Sequence, residues 1–180
     1  MRIFVLACLV LLGVSGCAAP ILEGANITRD KVIIDDNIDA ANAGNAEAQF
    51  KVGDALCCSL DDDEAGFYDT QKSVAWLCKS AAGGYAPAEL KLGKIYSGDR
   101  VEGVRLMRRA AQAVAGSDEN LPVAYAWMSL AWAHNVEDAE SHAKSLWSDL
   151  TPEQRDAAKT MVEKGPPFPC EWNDVKPTDN

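Results

Sequence analysis

Several groups of residues in this 180-residue chain have types and spacings that can do chemistry. Ser141-His142-Ala143-Lys144 has the Ser-x-x-Lys spacing that serves serine nucleophiles, but that mechanism also needs Ser-Asp-Asn and Lys-Thr-Gly elements. Neither is present, since Lys159-Thr160 runs into Met161, and a solvated helix face is expected. Asp61, Asp63 and Gly66 fall at positions one, three and six of a calcium loop. Position five is Ala65 and position twelve is Lys72, where a bidentate glutamate is required, so an EF-hand is excluded. His134 and His142 are the only histidines; with Asp138 between them they lack the further converging ligands that zinc takes. No Ser/His/Asp set, phosphate loop or Cys–His pair is evident. The chain is expected to be non-enzymatic and to hold no metal and no cofactor.

The cysteines carry more. Cys57, Cys58, Cys78 and Cys170 are four candidates for disulfide bonding, and four cysteines allow three pairings that sequence alone does not choose between. A bridge from Cys57 or Cys58 to Cys78 would staple one helical hairpin, leaving Cys170 to pin the tail to the remaining cysteine. Against this, an antiparallel hairpin places Cys78 nearer residue 50 than 58. The adjacent pair lacks the Cys-x-x-Cys spacing and βαβ context of a thioredoxin-like site, so structural bridging is expected over redox chemistry.

The N-terminus sets the compartment. Arg2 precedes an unbroken apolar run from Ile3 to Val14, the layout of a secretory signal peptide. The run is well short of the ~20 residues that span a bilayer. Val14-Ser15-Gly16-Cys17 resembles a bacterial lipobox. That resemblance implies cleavage before Cys17, acylation of its thiol and amine, and stable anchoring by several acyl chains. Ala18 follows the cysteine in place of the aspartate that the resemblance associates with inner-membrane retention, which points to the outer membrane, facing the periplasm. Seventeen basic residues stand against 27 acidic ones, for a net charge of −10. A nucleic-acid partner, which wants a basic patch or stripe, is thereby excluded, and lipid is left as the only membrane contact. Within this acidic chain Arg105, Arg108 and Arg109 share one helix face and are candidate partner-binding residues.

Positioning all of this requires helices. Residues 1–16 read as signal peptide and 17–39 as a lipidated tether, with Lys31-Val32-Ile33-Ile34 a β-branched strand or docked arm at most. Residues 40–165 read as one repeat domain and 166–180 as a tail. Ala48, Val52, Gly53 and Leu56 recur as Ala88, Leu92, Gly93 and Tyr96 at a spacing of 40. Small residues at two of these positions let a neighbouring helix approach; the large ones fill the same face. Ala124, Met128 and Trp132 fit as a third copy at a spacing of 36. The segment 72–84 supplies the second helix of the first copy, ending on Gly83-Gly84, and 104–111 that of the second. Pro122–His134 also aligns on the second helix, through Trp127 and Trp76, but strict alternation favours the first alignment. Trp76, Trp127 and Trp132 are then expected in the core, with Trp147 and Trp172 less constrained. Thr151-Pro152-Glu153-Gln154 reads as N-cap, N1 proline and capping-box glutamine of a closing helix, which Gly165-Pro166-Pro167 ends.

Trp76, Lys79, Ala81, Gly84, Ala86-Pro87-Ala88, Leu92-Gly93 and Tyr96 together resemble the Sel-one-like repeat, a tetratricopeptide-type family, over about residues 40–163. The loop Ser59–Tyr68 is longer and more acidic than that pattern, and Leu106 stands where it would place a tryptophan. The resemblance implies an all-α solenoid of about three stacked hairpins plus a capping helix. It further implies a scaffold or adaptor that binds protein partners in the cell envelope. Two other readings remain open: a periplasmic enzyme acting on cell-wall or β-lactam substrates, as in some secreted members of the family, and a thiol-redox protein.

Overall fold

A computed structural model describes residues 25–58, 67–98 and 120–171 of the chain. They form seven helices and, among the described residues, no strand. These are α1 (25–42), α2 (Ala46–Leu56), α3 (Thr70–Ala82), α4 (Ala86–Tyr96), α5 (Leu121–Ala133), α6 (Ala139–Asp149) and α7 (Pro152–Lys164). The all-α expectation therefore holds.

The helix ends follow from local chemistry. Asn45, Asp69 and Asn120 accept through their side chains from the backbone N–H groups of Ala48, Lys72 and Val123, satisfying donors that the first turn leaves without partners. Thr151 and Gln154 make the expected reciprocal capping box. Gly165 ends α7 at φ +70°.

Residues 25–39, expected to be tether, are helical, which corrects that boundary and the strand suggested for Lys31–Ile34. The buried or half-buried positions of α1 run Asn26, Ile27, Asp30, Ile33, Ile34, Asn37, Ile38 and Ala41, a helical stripe. Asp30 within it is only 2% exposed and accepts from the Tyr68 hydroxyl at 2.9 Å. Three polar members of the stripe, Asn26, Asp30 and Asn37, hide its period from a search for apolar residues.

Three helix–helix corners repeat one hydrogen-bond pattern. Ala43, Gly44 and Asn45 donate to the carbonyls of Asp39, Ala41 and Ala40. Gly83, Gly84 and Tyr85 donate in the same way to Lys79, Ala81 and Ser80, and His134, Asn135 and Val136 to Leu130, Trp132 and Ala131. This is the Schellman closure, whose central residue must be left-handed. Gly44, Gly84 and Asn135 have φ of +94°, +84° and +59°. Two are glycine and one is asparagine, the residues that tolerate this region.

The helices after these corners pack in a fixed register. A Cβ at Gly53 would lie 2.9 Å from Leu77 Cγ and 3.1 Å from the Ser73 carbonyl, and one at Gly93 2.6 Å from Met128 Cγ and 3.2 Å from the Ala124 carbonyl. Gly53 and Gly93 are thus contact points where backbone approaches backbone, as the repeat pattern predicts. Ser73 and Ser80 of α3 reinforce the first pair by donating to the Gly53 and Ala46 carbonyls at 2.7 and 2.6 Å. The same geometry corrects one alignment. Leu77 and Ser73 correspond to Met128 and Ala124 at a spacing of 51, the spacing of Trp76 and Trp127. Helix α5 therefore stands to α4 as α3 stands to α2, and is a second helix, not a first. Asp69 N–H donates to the Leu56 carbonyl and Asn120 N–H to the Tyr96 carbonyl, each at 2.9 Å, so both pairs enter the second helix alike. Val104–Ala111, assigned to that role from sequence, lies outside the described residues.

Leu77, Leu92, Ile95, Tyr96, Val123 and Met128 form the centre of the core, with Trp127 beside them. Trp76 is half-buried beneath the Lys79 ammonium at 4.3 Å. Trp132, expected in the core, is 40% exposed. In the corrected register it lies near the end of α5, ahead of the corner, and faces out.

Candidate functional site

The C-terminal tail supplies the densest polar and covalent constellation among the described residues. Cys78 on α3, Tyr96 at the end of α4 and Trp127 on α5 form a strip along three successive helices, and residues 166–171 lie on it. Cys78 and Cys170 are joined by a disulfide, S–S 2.05 Å and Cα–Cα 5.8 Å, within the normal range. Trp127 Nε1 donates to the Pro169 carbonyl at 3.1 Å, and the Tyr96 hydroxyl to the Glu171 carbonyl at 3.2 Å. Phe168 is buried edge-on against the Trp127 ring, centroids 5.2 Å apart and planes at 87°, an arrangement that suits the ring quadrupoles. Sequence reasoning missed Phe168. Its signal was there, in the run Pro166-Pro167-Phe168-Pro169, whose composition favours extended chain.

Cys57 and Cys58 are bonded to each other. All four candidate cysteines are therefore disulfide-bonded, and of the three pairings left open by the sequence the one formed is Cys57–Cys58 with Cys78–Cys170, not a bridge from the adjacent pair to Cys78. The reason is the antiparallel packing of α2 and α3. Cys57 and Cys58 follow the end of α2, whereas the middle of α3 faces Gly53, so Cys78 is far along the hairpin from both and turns to the tail instead. Cys57 and Cys58 are buried, while Cys78 and Cys170 are half-buried.

The second constellation is ionic. Glu89 of α4 is 2% exposed, with its two carboxylate oxygens 3.1 and 2.9 Å from His134 Nδ1. Burial pushes the Glu89 carboxyl above the usual carboxylate range, and the hydrogen bond and charge of His134 pull it part of the way back. Gln49 occupies the matching place in α2 and donates from Nε2 to the Ala41 carbonyl at 3.1 Å. A carboxyl raised in the folded state holds its proton more tightly there. Its contribution is complete below the unfolded value near 4.5 and is lost as pH rises through the folded value. Glu89→Gln, which copies Gln49, is therefore expected to raise the melting temperature near neutral pH. The gain should shrink as pH falls toward that unfolded value, in melts of both proteins at stepped pH. A lower melting temperature for the variant at neutral pH would show that the His134 contact outweighs the burial of charge.

The remaining candidates are not brought together. Ser141 Oγ donates to the Asp138 carbonyl at 2.8 Å, and Lys144 pairs with Glu140, so the Ser-x-x-Lys run is a helix face. His142 closes the first turn of α6 through its N–H to the Asp138 carbonyl, whereas His134 is committed to Glu89. Lys72 pairs with Asp69 at 2.9 Å. Among the described residues no group of three or more His, Cys, Asp or Glu side chains is placed to hold a metal ion, and no helix is long and apolar enough to cross a membrane. Cys17, the acidic loop at Asp61–Gly66, Trp172, and the three candidate arginines Arg105, Arg108 and Arg109 lie outside the described residues.

Compared with models of known families, with curated proteins and with solved structures, the chain matches none.

Proposed function

We propose that this chain is a lipid-anchored protein of a bacterial cell envelope, held at the outer membrane through Cys17, and that it serves as a scaffold for protein partners. Its domain is read as a Sel-one-like solenoid in which α2–α3 and α4–α5 are packed hairpins, α6 and α7 both close on α5, and α1 covers the leading end. The observation that carries this reading is the recurrence of one Schellman corner at 43–45, 83–85 and 134–136. The buried alanines Ala48, Ala88 and Ala139 follow those corners in the same register. A unit that repeats its corner and its contact residues adds helices in one direction, and such arrays present extended surfaces to other proteins. The step from array to scaffold is an argument from architecture.

Two measurements test it. Fatty-acid labelling of cells is expected to mark the native chain and leave Cys17→Ser unlabelled, with the variant leaving the membrane fraction entirely. Mild cross-linking in the envelope, with purification of the products, should recover a stoichiometric partner with the native chain and lose it with Cys17→Ser. Labelling without any recovered partner would retain the anchor and defeat the scaffold.

A further inference from the structure

The tail is bound the way a ligand is bound. Helix α7 ends at Gly165, and residues 166–171 form neither helix nor strand. Pro166 and Pro167 are exposed, so the segment is held through its later residues: Phe168, the Pro169 and Glu171 carbonyls, and the Cys170 bridge. Proline has no N–H, and extended proline-rich chain presents its carbonyls at regular intervals with no internal hydrogen bonds. Trp127 and Tyr96 each meet it with a flat apolar body and one edge donor. Both side chains are almost fully buried, at 5% and 0% exposure, with the tail forming part of their cover. The contacts to the strip are thus one aromatic ring and two backbone carbonyls.

We propose that the strip formed by Cys78, Tyr96 and Trp127 is a binding site for an extended aromatic–proline peptide of a partner protein, filled in this structure by the chain's own residues 166–171. Apart from the disulfide, the strip reads one aromatic side chain and two backbone carbonyls, so a peptide with those features fits. The bridge holds the tail at high effective concentration and lies at the half-buried edge of the site, within reach of a reductant. A dithiol opens it by exchange: one thiolate attacks Cys170 Sγ and Cys78 leaves as thiolate. The second thiol then displaces Cys170, so that two cysteine thiols form and the dithiol becomes a disulfide. The inference gives the scaffold reading a partner class and rests on it only in taking the peptide from another protein.

The test uses a fluorescent peptide Gly-Pro-Pro-Phe-Pro-Ser-Glu and three full-length proteins: the oxidised native chain, the variant Cys78→Ser/Phe168→Ala/Cys170→Ser, and that variant with Trp127→Phe. The triple variant is expected to bind the peptide saturably, at least about tenfold more tightly than the oxidised native chain. Loss of the indole donor should weaken binding about two- to tenfold, the worth of one hydrogen bond. A peptide with alanine for phenylalanine should bind more weakly still. No saturable binding by a triple variant that keeps the native helical spectrum, or equal binding by the oxidised native chain, overturns the proposal. Should the triple variant lose that spectrum, the peptide is added to the native chain in dithiothreitol and the Trp127 indole N–H resonance is followed. A peptide-dependent shift supports the site; its absence overturns it. Purified protein decides this question, whereas envelope cross-linking decides the scaffold reading, so the two can fail separately.

Discussion

Leu77→Ala is expected to cost about 2–5 kcal/mol of unfolding free energy, and Gly53→Ala to change sign when added to it. Leu77 is fully buried, so truncation loses its transfer free energy and leaves a cavity under α2. Gly53 faces that side chain. In the native protein a new Cβ would sit 2.9 and 3.2 Å from Leu77 Cγ and Cδ2, an overpacking that costs about 1–3 kcal/mol. The gain in helix propensity from glycine to alanine, about 1 kcal/mol, recovers part of it. With Leu77 truncated both carbon clashes disappear, the methyl occupies part of the cavity, and the propensity gain remains. Only the Ser73 carbonyl at 3.1 Å still opposes it. Urea unfolding of the two single variants and the double should therefore give a coupling of about 1–2 kcal/mol, of the size seen for residues in contact. Additivity within about 0.5 kcal/mol would mean that α2 and α3 do not meet at this point.

That contact was legible in the residues, because it is made of small and large side chains at helical spacing. The same holds for α7, where Thr151 and Gln154 announce a capping box and the fold builds it, and for the Gly83-Gly84 corner. The phase of α5 was hidden by the length of the connection before it. Leu56 is 13 residues ahead of Asp69 in the sequence, but Tyr96 is 24 ahead of Asn120, so a search for an even repeat meets α5 in the wrong phase. That phase directs Trp132 into the core, while the packing selects Trp127. The corner after α5 could have settled it. Asn135 stands where Gly44 and Gly84 stand, and asparagine is the ordinary substitute at a left-handed helix end.

Helix α1 was illegible for a different reason. Its stripe is helical, but Asn26, Asp30 and Asn37 interrupt the apolar pattern, and Asp30 is tolerated because Arg29 beside it pairs with one carboxylate oxygen at 2.7 Å while Tyr68, far along the chain, donates to the other. The Tyr68 contact is a tertiary fact with no local trace. The disulfides share this property. Four cysteines admit three pairings, and the choice depends on where the tail lies, which is decided by Phe168 and Trp127 rather than by any spacing of cysteines.

Cys78→Ser with Cys170→Ser is expected to lower stability by about 2–4 kcal/mol, the usual worth of a native bridge. The bridge joins residues 92 apart, so it removes much of the freedom of the unfolded chain; for a loop of that length the chain-entropy limit is about 4–5 kcal/mol. The Cys57–Cys58 bond joins neighbours and closes no such loop. Dithiothreitol should therefore destabilise the native chain by nearly the same amount as the double substitution, and destabilise the double variant far less. The unfolded chain also expands when the long loop opens, so the urea m-value should rise in the variant. Unchanged stability together with an unchanged m-value would show that Cys78 and Cys170 are not joined in the folded protein. A loss of stability confined to the native chain, together with freer access of the fluorescent peptide, would tie the same bond both to the fold and to the site it closes.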